Sequence, residues 1–337
     1  MMLRRREVIA RVGTGLFLPG LLGAQVPKPA PAGVDRPVMF DTPEADKVLE
    51  TLAVFPPDNP WNADVSAWPV HPDSKAIIGS IGGSKPLRAN SDMGFILVPA
   101  DQPRVPVRIT DYPDESDRGP FPVPEDMPIE GWPAWFKADP KYRGLSLRDV
   151  QRDVARLGGD RHAIVVDPAS RMLYEFYSAR RTDAGWEAKQ ASIFDLKSNR
   201  LRPEGWTSTD AAGLPIFPSI VRHDELARGR IGHALRVTVR RSRRAYVHPA
   251  THFASRLEDP NLPRMGERIR LKKDFDLARF SPPARTILEA LKRHGMLVAD
   301  NGIEWAVSVA PDPRISPLHE EFRRVKGDDF EVVRMPG

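Results

Sequence analysis

Four ionisable residues fall on segments that read as strands: Glu175, His233, Arg236 and Asp300. In Met172–Ser178, alternation puts Leu173, Glu175 and Tyr177 on one face and Met172, Tyr174 and Phe176 on the other. A carboxyl between a leucine and a tyrosine on a sheet face loses solvent, which raises its pKa toward general-acid use. A solvent-facing glutamate beside an exposed tyrosine is the plainer alternative. His233 opens a strand and shares parity with Leu235, Val237 and Val239, while Arg236 takes the opposite face with Thr238. A histidine in that position is otherwise a satisfied core or rim residue. Asp300 shares parity with Met296 and Val298; a turn-stabilising aspartate before Asn301-Gly302 is its default role. As acid and base, Glu175 and Asp300 suit polysaccharide hydrolysis or elimination, with His233 and Arg236 orienting substrate or stabilising charge.

A second cluster is acidic. Asp111, Asp114, Glu115 and Asp117 crowd one Pro-rich loop, a density of hard oxygen ligands that suits Ca²⁺. A solvated acidic loop is the alternative, and no other cofactor is expected. Trp61 and Trp206 lie in loop-like text, Trp206 four residues before Asp210. Indoles there either stack on sugar rings or anchor loops over a core. Trp61, Trp206 and Asp210 are therefore candidate substrate contacts. His248 and His252 have ligand spacing only on a helix, which Pro249 opposes. No glycine-rich dinucleotide turn, phosphate loop, nucleophile elbow or paired-histidine zinc motif is present. The chain has no cysteine, so disulfides, thiolate catalysis and Cys-ligated metals are excluded.

The elements that must position these groups follow from composition and period. Of 337 residues, 41% are hydrophobic and 28% charged, as in ordinary globular chains. The 35 prolines are about twice the usual ~5% share, which disfavours a helical bundle and calls for many loops. Period-two runs predict a hairpin of Ala163–Asp167 with Met172–Ser178. Further strands are expected at Ile193–Leu196, Ala234–Val239, Ala245–His248 and Arg268–Leu271. Asn301-Gly302 predicts a tight hairpin joining Met296–Asp300 to Ile303–Val309. Short helices are expected within 41–53, after Ser146, after Ser281-Pro282 and after Ser316-Pro317. The fold class is α+β and β-rich, a β-sandwich or jelly-roll-like core with long Pro-rich loops and a few short helices.

The N-terminus carries an address. Arg5-Arg6-x-Val8-Ile9 before the apolar run Val12–Gly23 fits a twin-arginine signal peptide over residues 1–24. Its apolar run is too short to span a bilayer, so no membrane span is expected in the mature chain. Residues 25–40 read as a Pro/Ala linker and 41–337 as one globular domain. Removal of the signal leaves +2 of the formal +5, which weakens any nucleic-acid reading. The arginines from Arg236 to Arg244 then read as a solvated strand edge. Periplasmic or extracellular work is expected.

Several phrases resemble a family of exported bacterial proteins with no assigned activity. They are Phe55-Pro-Pro-Asp-Asn-Pro-Trp61-Asn62, Asp160-Arg-His162, Leu173-Tyr-Glu175, Gly205-Trp-Thr-Ser-Thr-Asp210-Ala-Ala-Gly-Leu-Pro215, His233-Ala-Leu-Arg236 and Gly295-Met-Leu-Val-Ala-Asp300-Asn-Gly302. The resemblance spans roughly residues 55–335, departs between Gly131 and Gly159, implies one globular unit and transfers no catalytic residue. The resulting expectation is an exported carbohydrate-active enzyme, a polysaccharide hydrolase or lyase. The alternative is a non-catalytic glycan- or envelope-binding protein.

Overall fold

The computed structural model describes residues 33–136 and 139–335, so the expected signal peptide and residues 25–32 of the linker lie outside it. Among the described residues the chain begins with β1 (Val38–Met39), α1 (Pro43–Thr51), α2 (Ser74–Ile81), β2 (Arg88–Ser91), β3 (Ile96–Leu97) and β4 (Val107–Ile109). Next come α3 (Leu147–Arg152), β5 (Ala163–Asp167), β6 (Met172–Tyr177), β7 (Arg180–Thr182), β8 (Gly185–Ala188) and β9 (Gln190–Asp195). The last part holds α4 (His223–Ala227), β10 (Leu235–Val239), β11 (Arg268–Leu271) and α5 (Pro282–Arg293). It ends with β12 (Met296–Asn301), β13 (Ala306–Val309), α6 (His319–Phe322) and β14 (Phe330–Val333). No helix among the described residues is long and apolar enough to cross a membrane.

The fold is α+β and sheet-rich, with a sandwich-like core. A first sheet has the order β1-β3-β5-β6-β9, a second β14-β11-β12-β10-β13-β2, and a small third β4-β8-β7. One apolar cluster joins Leu97, Val166, Leu173 and Phe194 of the first sheet to Leu235, Val237 and Val298 of the second. The alternate residues Val165, Tyr174 and Phe176 enter a separate cluster with Phe121, Met127 and Val150, so the first sheet is covered on both faces. Strand β1 falls at the end of the stretch read as a linker: Val38 and Met39 pair with Leu97 and Ile96, so ordered structure starts before residue 41.

Local chemistry accounts for most elements. Helix α1 starts where Thr42 accepts the Ala45 N–H, and α3 where Ser146 and Asp149 cap each other's backbone. The apolar stripe Ala284, Ile287, Leu288 and Leu291 of α5 is buried. The hairpin of β5 with β6 forms as its pattern predicts, pairing Ile164 with Glu175.

The expected hairpin at Asn301-Gly302 does not form. Strand β10 lies between β12 and β13, parallel to β12 and antiparallel to β13. The connection is held to the end of β10 instead, by Gly302 N–H to the Val239 carbonyl (2.8 Å) and the Thr238 hydroxyl to the Ile303 carbonyl (2.6 Å). Trp305 then fixes the crossing, fully buried, stacked on Phe330 at 5.2 Å and donating Nε1–H to the Gly82 carbonyl. Burial of a large aromatic outweighs the local turn preference. The expected strand Ala245–His248 reduces to a single bridge, Tyr246 with Met265, because Pro249 offers no donor to extend a ladder.

The segment from Arg202 to Phe217 has no regular strand, yet it runs between the first and second sheets, bonded to both. Gly213 makes its tightest bend, at φ +75. A Cβ there would stand 2.1 Å from Thr251 Oγ1 and 2.8 Å from the Trp206 carbonyl that this hydroxyl binds. Gly213→Ala therefore combines a left-handed penalty of about 1–2 kcal/mol with loss of that hydrogen bond. Urea unfolding should show a destabilisation above ~2 kcal/mol; a change inside ±0.5 kcal/mol would mean the bend relaxes freely.

Candidate functional site

Glu175 sits on β6 with Leu173 on the face that enters the core between the two large sheets, as parity predicts, and is fully buried. It does not reach a cavity wall. Its Oε1 accepts N–H groups of Ile216 (2.9 Å) and Phe217 (2.8 Å), and its Oε2 accepts the Thr209 hydroxyl (3.0 Å). Desolvation pushes this carboxyl up to about 7, against the lowering effect of the Phe217 and Ile216 amides. Glu175 is thus a positioning residue that clamps the loop from the first sheet.

Arg236 holds the same loop from the second sheet. Its Nε and Nη2 donate to the two oxygens of Asp210 at 2.9 and 2.5 Å, and its Nη1 donates to the Ser308 hydroxyl at 2.6 Å. Both charged residues are buried, Asp210 completely. Burial lowers the pKa of Arg236, but the charge of Asp210 and the hydrogen bonds to it more than offset this, and the guanidinium stays cationic. Asp210 is therefore spent on Arg236 and does not face a ligand directly.

Asp300 reaches the same region through a change of register. Val237 pairs with Val298, but Thr238 pairs with Asp300, leaving Ala299 as an extra residue on β12. This bulge turns Asp300 from the face of Met296 and Val298 to the face of Arg236. There its Oδ2 accepts the Ala211 N–H at 3.3 Å and its Oδ1 the Asn301 N–H at 2.6 Å. Desolvation and the charge of Asp210 raise its pKa, and Arg236 opposes them.

These groups stand behind a cavity of about 290 Å³ at the ends of β10 and β12. Asp300, Asp160, Tyr177 and His252 line it together with Thr209 and Phe253. Asp160 lies at the rim, where desolvation and then the charge of Asp210 raise its pKa against Arg236. His252 Nδ1 lies 2.8 Å from the Ala211 carbonyl, which can only accept, so Nδ1 carries the proton and Nε2 is the other polar atom of the ring. The His252 and Phe253 rings are stacked at 5.5 Å with planes 2° apart, and Tyr246 continues the stack at 6.3 Å. The cavity thus combines two carboxyls of raised pKa, an imidazole, a phenol, hydroxyls and a flat aromatic rim. Such a set can hold a polyhydroxyl ring and exchange a proton with it.

The remaining sequence candidates go elsewhere. His233 lies away from Asp300, with Nε2 2.8 Å from Glu225 Oε1, so it does not join Glu175, Arg236 and Asp300. Trp61 is buried, packs on Phe55 and donates Nε1–H to Ser219, which makes it a core anchor. Trp206 is half-buried beneath the guanidinium of Arg202, 5.4 Å from its ring centre. Three carboxylates of the acidic loop meet partners within the protein. Asp111 pairs with Lys189, Glu115 accepts the Thr207 N–H, and Asp117 accepts from Arg202 and the Ile193 N–H, while Asp114 is exposed. Its carboxylates brace the 202–217 segment from outside, and among the described residues no three His, Asp or Glu side chains form a metal-holding group. Sequence reasoning missed Asp160 and His252, which lie in irregular chain where no period reveals a facing direction. The Asp160-Arg-His162 phrase and the dismissed His252 were their only traces.

In comparisons with known proteins, no family model, no curated protein and no solved structure matches the chain.

Two outcomes follow from the buried charges. Asp210→Asn leaves Arg236 buried without its counter-ion and should destabilise the protein by ~3–5 kcal/mol in urea unfolding. A loss under ~1 kcal/mol would mean the pair is not isolated from water. Glu175 has a folded pKa raised from 4.5 to about 7, so its share of stability is full below pH 4.5 and is lost as pH rises through 7. Glu175→Gln should flatten the fall in melting temperature between pH 4.5 and 7.5; an unchanged slope would assign that fall to other groups.

Proposed function

We propose that this chain is an exported carbohydrate-active enzyme that cleaves a glycosidic bond in the cavity at the ends of β10 and β12. The observation that carries the reading is the placement of two carboxylates, enclosed Asp300 and exposed Asp160, in the wall of one cavity, behind which Arg236 is paired with Asp210. Asp300, the more enclosed of the two, donates its proton to the leaving oxygen. Asp160, at the open rim, attacks the anomeric carbon or takes a proton from the attacking water. Thr209 and His252 bind ring hydroxyls, and the Phe253 edge stacks on an apolar sugar face. A volume of about 290 Å³ is at the lower end of the ~300–1,000 Å³ typical of ligand pockets. It suits one terminal ring better than the interior of a long chain. Export rests on the Arg5-Arg6-x-Val8-Ile9 pattern.

The stacked rings of His252 and Phe253 in the cavity wall favour a second reading, glycan binding without turnover. A screen of the mature chain against polysaccharides and aryl glycosides separates the two. Turnover is expected, with Asp300→Asn and Asp160→Asn each lowering kcat/KM by about 10²–10⁴. Binding without turnover would establish the second reading, and neither binding nor turnover would exclude both.

A further inference from the structure

A larger cavity, about 950 Å³, opens at the opposite end of the β10–β12 pair. Its wall includes His233, just before β10, whereas Asp300 and Asn301 of the smaller cavity end β12, which runs parallel to β10. The two cavities therefore share no lining residue. Helix α1, the 52–62 segment and the α4 region frame the larger one.

Its charge is one-sided. Arg171, Lys197, Arg222, Arg228 and Arg230 line it, against the carboxylates of Glu50 and Glu225. Some of this charge is neutralised locally. Arg222 Nε donates to Asp224 and its Nη2 pairs with Glu225, Arg228 donates to Asp224, and Lys197 lies 3.5 Å from Asp195. Among the described residues Arg171 has no carboxylate partner and donates to the carbonyls of Ala53 and Leu196. Arg230 is exposed, and no hydrogen bond or ion pair engages its side chain among the described residues.

The cavity also has unmet polar groups in its wall. Arg222 is 5% exposed, and among the described residues neither its buried Nη1 nor Glu225 Oε2 has a hydrogen-bond partner. An unmet donor on a buried cation is costly, and a bound acceptor removes that cost. His233 also stands in the wall, its two ring nitrogens 3.0 Å from the Ala234 carbonyl and 2.8 Å from Glu225 Oε1. Leu52, Val54, Phe55 and Trp61 give the same cavity an apolar side.

We infer that this cavity binds a small organic anion, one whose carboxylate or phosphate engages Arg171, Arg222 and Arg230 while its carbon skeleton lies against Val54, Pro56 and Pro57. Guanidinium groups recognise both oxyanions through paired N–H donors. The volume admits a ligand of about the size of an acidic disaccharide or a sugar phosphate. This site does not depend on the glycosidic reading, because its test is binding without turnover.

Isothermal titration of the mature chain at constant ionic strength, with glucuronate, glucose 6-phosphate and glucose as titrants, provides that test. Saturable binding of at least one anion and none of glucose is expected. Preference for glucuronate would assign a sugar acid, and preference for the phosphate ester a phosphorylated ligand. Arg230→Glu removes an exposed, unpartnered cation, should leave folding intact, and should weaken the bound anion at least tenfold, with Arg230→Lys recovering part of the affinity. Absence of saturable anion binding, or equal affinity in the wild type and Arg230→Glu, would overturn the inference.

Discussion

The ionic contact between Arg236 and Asp210 is the constraint on which the rest of the site depends. Removing two charges from water costs several kcal/mol each, and only near-ideal geometry returns that energy. Here the return comes from a two-point guanidinium–carboxylate bond, with the remaining nitrogen directed to Ser308. Because Asp210 belongs to irregular chain, this pair transmits the position of the second sheet to a loop that has no ladder of its own. Glu175 does the same from the first sheet, through the amides of Ile216 and Phe217. The loop can then present Thr209 and Ala211 to the small cavity with little freedom, since each stands within a few residues of a clamped atom.

Legibility in the sequence followed the regularity of the chain. Alternation within Met172–Ser178 gave Glu175 its correct face, because an unbroken strand leaves no other choice. Alternation failed at Asp300, where one extra residue, Ala299, turned the side chain to the other face, and bulges carry no compositional mark. The Asn301-Gly302 turn signal was overridden by the burial of Trp305, a contact with Gly82 and Phe330 that lies far away in sequence. Trp61 and Trp206 were visible as loop tryptophans, but whether an indole meets solvent or core is settled by distant partners such as Ser219 and Arg202. The acidic loop shows the same limit. Density of carboxylates was legible, whereas their assignment to Lys189, Arg202 and backbone amides was a matter of tertiary structure.

The placement of the two cavities follows from topology. Strands β10 and β12 are parallel, and a parallel pair needs a crossover, supplied here through β11 and α5. Side chains that follow the carboxyl ends of such strands escape the ladder and can converge, which is how ligand sites arise at the ends of parallel strands. Asp300 and Asn301 occupy that end. The opposite end receives the chain entering β10, and there the wall is built from α1, α4 and their loops, with arginines in place of aspartates.

The sign difference between the ends bears on proton chemistry. At the carboxyl end, Asp210 is bonded to the buried guanidinium of Arg236, and Asp300 and Asp160 lie within the field of that pair. Further ionisation of Asp300 and Asp160 is opposed by desolvation and by the charge of Asp210, and favoured by Arg236. Glu175 meets three donors and still sits near 7, while Asp300 has two backbone amides and the residual field of Arg236. The outcome is that desolvation raises the pKa of Glu175, Asp300 and Asp160 alike. A carboxylic acid that stays protonated in a cavity open to a ligand is what acid catalysis of bond cleavage requires. Asp300, its pKa pushed up to about 8 by desolvation and by the charge of Asp210, lines the cavity. The burial of Arg236 with Asp210 is therefore a structural clamp, and the charge of Asp210 adds to the desolvation that raises the pKa of Asp300.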